Sequence, residues 1–256
     1  MSWNYISSIH KSYAVSNSLM CNVEVDKKIQ PRLLISRSNI LEFFIVNPDG
    51  IKLDFQIELF AKIIKICEVK TDLKSSPSLL FLLASNSEYG FVTIKDKQIV
   101  TKHNDTLVVA GSSLNDPMDI KVAQEICRSD GQTVYLHFTL YAFRGLFLVF
   151  VLKVLQNSDI IIERTPKIRF QYDKIKDIGI VANHTFKTKN SLLAVLYEED
   201  YGNRIKHFQV YELNWQTGEL VREPCWKIAF NDDTTVYKIE CLKDGGLIVF
   251  SQECIR

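Results

Sequence analysis

Apolar and polar residues alternate along this chain in short runs. In residues 51–59 the odd positions are Ile51, Leu53, Phe55, Ile57 and Leu59, and the even ones are Lys52, Asp54, Gln56 and Glu58. A period of two sends successive side chains to opposite faces, so this run predicts a strand with one wet face. Residues 41–46 before it are strand-like too, and Asn47-Pro48-Asp49-Gly50 joins the two. Pro fixes φ, Asp bonds back to the backbone and Gly tolerates positive φ, so the junction predicts a hairpin turn. Residues 132–141 put Val134, Leu136, Phe138 and Leu140 on one face and Thr133, Tyr135, His137 and Thr139 on the other. Residues 146–152 are almost continuously apolar and predict a central strand buried on both faces. Residues 167–172 alternate Lys167, Arg169 and Gln171 against Ile168, Phe170 and Tyr172. Hairpins are predicted from 204–213 to 219–230 and from 235–242 to 247–251. Further strands are predicted at 33–36, 62–69, 79–83, 89–94, 98–102 and 192–197.

The total is about twenty short strands, the spacing of a sandwich, barrel or propeller. No window keeps a helical period. Residues 116–127 are the least strand-like stretch and, with Gly111–Ser113 before them, read as a long loop; residues 70–76 read as a second. Twenty strands in one sheet would twist apart or split. Blades of four strands around a centre avoid this, and at about 40–50 residues each the chain supplies about five. The expected fold is an all-β, incomplete β-propeller of about five four-stranded blades, with residues 1–256 as one partial propeller domain. A pair of β-sandwiches fits the same spacing.

Composition supports strands: the chain has 15 Phe and 10 Tyr but only 10 Gly and 6 Pro, and aromatic residues suit a pleated surface. The net charge of +1 argues against bulk electrostatic binding to nucleic acid or membrane and points to protein partners. The longest apolar run, near 146–155, is too short for a membrane span of ~20 residues. The opening MSWNYISSIH lacks the charged and apolar regions of a secretory leader. The six cysteines are widely spaced without a C-x-x-C pair, so reduced thiols in a nuclear or cytosolic protein are expected.

Catalytic constellations are scarce. No phosphate loop, nucleophile elbow or dinucleotide fingerprint occurs. His10, His103, His137, His184 and His207 lie far apart without metal-ligand spacing, and His137 and His207 read as histidines bonded within a sheet. Cys67 and Cys241 fall in apolar strands and read as inert, and Cys254 reads as an exposed thiol. Glu198-Glu199-Asp200 and Asp232-Asp233 read as solvated turn charge. No catalytic residue, metal or cofactor is expected, and the chain reads as a non-enzyme. The basic-aromatic stretch is the one candidate nucleic-acid contact: Lys167, Arg169, Lys174 and Lys176 interleave with Phe170 and Tyr172, as in single-strand binders. Alternation, however, sends charges and rings to opposite faces, whereas a stacking platform needs both on one.

An ordered set of residues resembles a known family. It runs from Met1-Ser2-Trp3-Asn4-Tyr5 and Ala14-Val15 through Leu33-Leu34-Ile35-Ser36, Leu41-Glu42, Asp49-Gly50, Lys62-Ile63 and Leu79-Leu80-Phe81-Leu82-Leu83. It continues with Leu140-Tyr141, Gly145-Leu146-Phe147, Tyr211-Glu212, Pro224, Trp226-Lys227, Gly245-Gly246, Ile248 and Ser251-Gln252-Glu253, with Ala142 and Phe143 interrupting it. The set resembles the large propeller subunits of the UV-damaged-DNA-binding, cleavage-polyadenylation and branch-site splicing complexes. The N-terminal part is most similar to the damage-binding branch. That resemblance implies part of the first of three seven-bladed propellers in an adaptor of a cullin-RING ubiquitin ligase acting in DNA repair. It implies a nuclear, and also cytoplasmic, interaction scaffold for substrate receptors or repair factors, with nucleic acid contacted indirectly. The family's cullin contact lies on the second propeller and only one wall of its receptor cleft on the first. An RNA-processing subunit contacting RNA through the basic stretch is the second reading. Contacts are expected in the loops at 70–76, 104–117 and 200–203, since binding residues concentrate on loops of a rigid scaffold.

Overall fold

The computed structural model describes residues 15–71, 76–107, 114, 119–156, 158–170, 174–182, 190–198, 205–221, 224–230, 234–242 and 246–253. Among them the chain forms nineteen strands, no α-helix and four sheets. The first four strands, β1 (Asn17–Val25), β2 (Lys28–Arg37), β3 (Ile40–Asn47) and β4 (Gly50–Glu58), make an antiparallel meander. So do β5 (Ile63–Val69), β6 (Leu79–Ala84), β7 (Glu88–Lys95) and β8 (Gln98–Thr106). One parallel bridge, Glu24 to Lys95, ties the two meanders into a single sheet of eight. The third contains β9 (Lys121–Ser129), β10 (Thr133–Phe143), β11 (Leu146–Leu155) and an outer strand split into β12 (Ile160–Arg164) and β13 (Lys167–Arg169). The fourth is β14 (Lys174–Ala182), β15 (Ser191–Glu198), β16 (Lys206–Leu213) and β17 (Trp226–Phe230). The last pair is β18 (Thr234–Cys241) and β19 (Leu247–Glu253). This is an incomplete propeller: four four-stranded blades and a fifth with two strands among the described residues.

Each blade-to-blade junction is one apolar cluster. Cys21, Val23, Leu34, Leu41 and Phe43 of blade 1 meet Ile63, Ile66, Leu80, Leu82 and Val92 of blade 2. The other face of blade 2, with Phe81, Leu83, Tyr89 and Phe91, packs on Leu136, Phe138, Phe150 and Leu152 of blade 3. Its rings sit 4.7 Å (Phe81–Phe138) and 5.7 Å (Phe91–Phe138) apart, in the tilted and edge-on arrangements that aromatic quadrupoles favour. Tyr141, Phe147 and Val149 of blade 3 then meet Leu193, Val195, Tyr197 and Tyr211 of blade 4. Ala194, Leu196, Phe208 and Val210 cover Val236 and Ile239 of the fifth blade. The alternation of each strand is what lets a blade feed two neighbouring clusters.

The first strands of the blades lie side by side, and polar side chains stitch them to their neighbours' backbones. Asn17 Oδ1 accepts from Ile66 N at 3.4 Å. Gln124 accepts from Lys70 N at 2.9 Å and donates to Glu68 O at 2.7 Å. Asp177 Oδ2 accepts from Ile239 N at 2.8 Å. At this last junction the strands approach so closely that a Cβ on Gly179 would lie 2.7 Å from Cys241 Sγ and 2.9 Å from Ile239 Cγ2. The turn 214–219 locks blade 4 onto blade 3. His137 is fully buried on β10 and its Nε2–H donates to Trp215 O at 2.9 Å. In the same turn Gly218 takes φ +69° against Val149, Val151 and Pro166.

Two of the strand expectations change. Residues 121–129, expected within a long loop, form β9. This strand lines the inner rim with only Ala123 buried, so it never shows the apolar alternation of an outer strand. The run 51–59 does not keep its odd positions on one face. Its register against β3 skips Asp54 between the pairs Phe43–Phe55 and Phe44–Leu53. That bulge turns Phe55 and Ile57 toward blade 2 while Ile51 and Leu53 lie exposed on the opposite face, as an extra residue in one strand must do. Of the strand expected at 167–172, Lys167–Arg169 form β13, Phe170 N still donates to Gly145 O at 2.8 Å, and residues 171–172 lie outside the described residues.

Gly179→Val should lower unfolding stability by about 1–3 kcal/mol through overpacking, read as a shift in the urea midpoint at constant slope. His137 supplies a pH signature. Burial lowers its pKa from 6.5 to about 4, and the bond to Trp215 O opposes this only in part. The unfolded chain therefore takes up this proton below about pH 6.5 while the folded chain refuses it until about pH 4. Stability is full above that window and falls on acidification through it, with a slope approaching about 1.4 kcal/mol per pH unit. His137→Gln should flatten that part of the urea-midpoint profile relative to the parent chain.

Candidate interaction surface

Because strands alternate in direction, the connections β4–β5 and β8–β9 and the turns β6–β7 and β10–β11 share one end of the blades. The basic stretch reaches this end. Arg169 pairs opposite Leu146 at the start of β11, and Lys174 pairs opposite Glu198 at the end of β15. Lys167 and Arg169 are exposed on β13. Lys174 and Lys176 converge on one carboxylate, at 3.3 Å and 2.7 Å from Glu198 Oε1 and Oε2. Burial alone would raise the Glu198 carboxyl, but hydrogen bonds and charge from Lys176 and then Lys174 outweigh it and hold the group below its usual range. Phe170 points away from these charges and packs 5.0 Å from Phe147 and 4.7 Å from Tyr211. Charges and ring thus separate as alternation predicts; Tyr172 lies outside the described residues.

Two clefts open at the same end. One, of about 290 Å³, lies between blades 1 and 2, with Leu59, Phe60 and Ala61 on one side and Ala84, Glu88, Gly90 and Asp105 on the other. The second, of about 180 Å³, lies between blades 2 and 3 and includes Tyr89, Asp105, Phe150 and Lys167. Burial and then Asp105 push the Tyr89 hydroxyl up to about 12, so it stays neutral. At the inner rim Lys65, Lys121 and Asp177 share one electrostatic neighbourhood. Burial lowers the Lys65 ammonium, and burial raises the Asp177 carboxyl against the pull of Ile239 N–H.

Among the described residues no group of His, Cys, Asp and Glu could hold a metal ion. Burial pushes the half-buried Cys67 thiol up to about 12, which disfavours the reactive thiolate. Cys241 is exposed rather than buried as a residue, although its Sγ lies against Gly179 and partial burial raises its thiol. Cys254, Asp232 and Asp233 lie outside the described residues. So does the loop 200–203, with most of 70–76 and 104–117.

Large apolar side chains exposed at both ends of the stack were not legible as a site. On the outer face of blade 1, Met20, Leu33, Phe44 and Leu53 form one cross-strand row, with Val46 and Ile51 beside it. On blade 4, Trp226 and Ile228 pair opposite Val210 and Phe208, so they share the face directed at blade 5. Yet they are 66% and 48% exposed, because β18 and β19 reach only part of that face. Periodicity marks such residues as core, and nothing in it says which of them the described neighbouring strands leave uncovered.

Glu198→Gln should cost about 1 kcal/mol at neutral pH, a modest value because both lysines are partly exposed. The folded carboxyl is depressed, so its contribution is present above the unfolded carboxylate range and lost as pH falls through the folded one. The two proteins' urea midpoints should therefore converge in acid.

Residues 14–255 match the family model described as the RSE1/DDB1/CPSF1 first β-propeller. The match takes in all nineteen strands, both exposed end faces and the clefts between the blades. The chain belongs to the RSE1/DDB1/CPSF1 family, in its first β-propeller.

Proposed function

We propose that this chain is a non-enzymatic scaffold for protein–protein contacts in a nuclear assembly of the ubiquitin-ligase and DNA-repair type. The observation that carries the reading is the pair of uncovered blade faces. Soluble proteins rarely leave contiguous apolar faces open, and larger exposed patches mark interaction sites. Here Met20, Val46, Ile51 and Leu53 at one end, and Trp226 and Ile228 at the other, stay exposed. Both faces are apolar blade surfaces that apolar side chains of another protein would cover. The family match favours a scaffold and leaves its assembly open; the damage-binding likeness of the N-terminal sequence is the reason for preferring ligase and repair subunits. The exposed Lys167 and Arg169 favour, as a second reading, a subunit of an RNA-processing assembly.

The test is cross-linking and mass spectrometry of complexes captured on the tagged chain from nuclear extract, with Trp226→Asp and Leu53→Asp as variants. Cullin-RING and repair subunits should cross-link next to the two end faces, and each variant should lose its own set while keeping its unfolding midpoint. Capture of polyadenylation or splicing subunits instead would move the chain to the second reading. Retention of every partner by both variants would remove the end faces as docking surfaces.

A further inference from the structure

The cleft between blades 1 and 2 has features that the scaffold reading does not use. Its floor is Ile63, Leu82, Ala84 and Val92, all buried. Two small residues keep it open: Ala84 near one end and Gly90, which sits between Leu82 and Asn104 in the sheet register. Its wall is the short connection after β4, pinned at both ends. Leu59 N donates to Asn39 O at 2.8 Å, Asn39 Nδ2 donates to Leu59 O at 3.0 Å, Ile63 N donates to Ser38 O at 2.8 Å and Ser85 N donates to Lys62 O at 2.9 Å. Phe60 at the crest of this connection is fully exposed. A ring held out into water on a fixed connection costs solvation free energy that folding does not recover. The charged side chains lining the cleft are Glu88 and Asp105, with no Lys, Arg or His among the lining residues.

We propose that this cleft is a docking groove for an extended basic peptide segment that inserts one bulky apolar side chain beside Phe60. The acidic lining repels phosphates, which disfavours nucleic acid and anionic lipid and favours a chain bearing Lys or Arg. The volume of about 290 Å³ is at the small end of ligand pockets. It suits one inserted side chain, with the rest of the peptide lying along the blade. Among the described residues β8 pairs with β7 alone. Its outer edge therefore offers backbone donors and acceptors to an extended strand. The groove lies between two complete blades and does not depend on how the ring is closed.

Fluorescence anisotropy of the 256-residue chain with a fluorescein-labelled Arg-Lys-Leu-Phe-Lys-Arg peptide tests this. The controls are Glu-Asp-Leu-Phe-Asp-Glu and Arg-Lys-Ser-Ser-Lys-Arg. Gly90→Val is the blocking variant: an added Cβ meets His103 O at 3.5 Å and Val92 Cγ1 at 3.7 Å, ordinary contacts that the strand accepts. The expected result is saturable binding of the first peptide and weakening by about tenfold or more, or about 1.4 kcal/mol, for either control and in Gly90→Val. Glu88→Lys combined with Asp105→Lys should weaken it at least as much. Phe60→Ser, at an exposed position, gives the same reading if Gly90→Val fails to fold. Absence of saturable binding, equal binding of the Ser-Ser peptide, or unchanged affinity in the folded blocking variants would overturn the proposal.

Discussion

Everything in this molecule depends on the face-to-face packing of neighbouring blades. A four-stranded meander has two faces, and neither is polar enough to stand in water alone. Blade 3 shows this most clearly: Leu136, Phe138 and Leu140 enter one junction, and Tyr141, Phe147 and Val149 the next. Burial of such side chains is worth about 1.5–3 kcal/mol each, and the fold gains this only when a blade has a neighbour on each side. Blades 2, 3 and 4 meet that condition over most of their width. Blade 1 meets it on one face, and the pair β18–β19 is covered on one face alone. The same constraint that builds the core therefore leaves two apolar faces open, and the proposed scaffold role follows from that.

Polar groups are placed so as not to disturb this packing. Arg32 is buried but is held by Asp54, whose position in the β4 bulge aims its carboxylate at the guanidinium at 2.8 Å. Inside blade 4, Gln209 accepts from Tyr211 and donates to Tyr197 OH at 3.0 Å. Buried polar groups are tolerable when paired, and here the pairs also fix which strand meets which. At the inner rim Gln124 and Asp177 bond to neighbouring backbones.

The sequence made the middle strands of the blades legible, and with them the propeller. Alternation in 132–141 and the continuous apolar run of 146–152 correspond directly to β10 and β11, both largely buried. Strand β1 went unread, and the turn Asp26-Lys27 that joins it to β2 takes positive φ at both residues without a glycine. Asp96-Lys97 repeats that solution between β7 and β8. Inner strand β9 went unread because a rim strand has no reason to alternate. The basic stretch was visible as composition, and its separation from Phe170 followed from the period of two. The convergence of two lysines on Glu198 depends on the β14–β15 register, which no local pattern encodes. The groove beside Phe60 was invisible for a similar reason: Ala84 and Gly90 are adjacent across strands and apart in sequence.

The most direct test of this account is residue-resolved hydrogen–deuterium exchange on the isolated chain, since protection reports how much neighbouring structure holds each strand. Blade-to-blade packing as the source of stability predicts a gradient. The amides of β10, β11 and β15 should exchange slowest, and those of β3, β4, β18 and β19 fastest. Uniform protection, or a β18–β19 hairpin as slow as β10–β11, would mean that the blades are stable on their own. That result would contradict the claim that the open end faces are surfaces awaiting a neighbour.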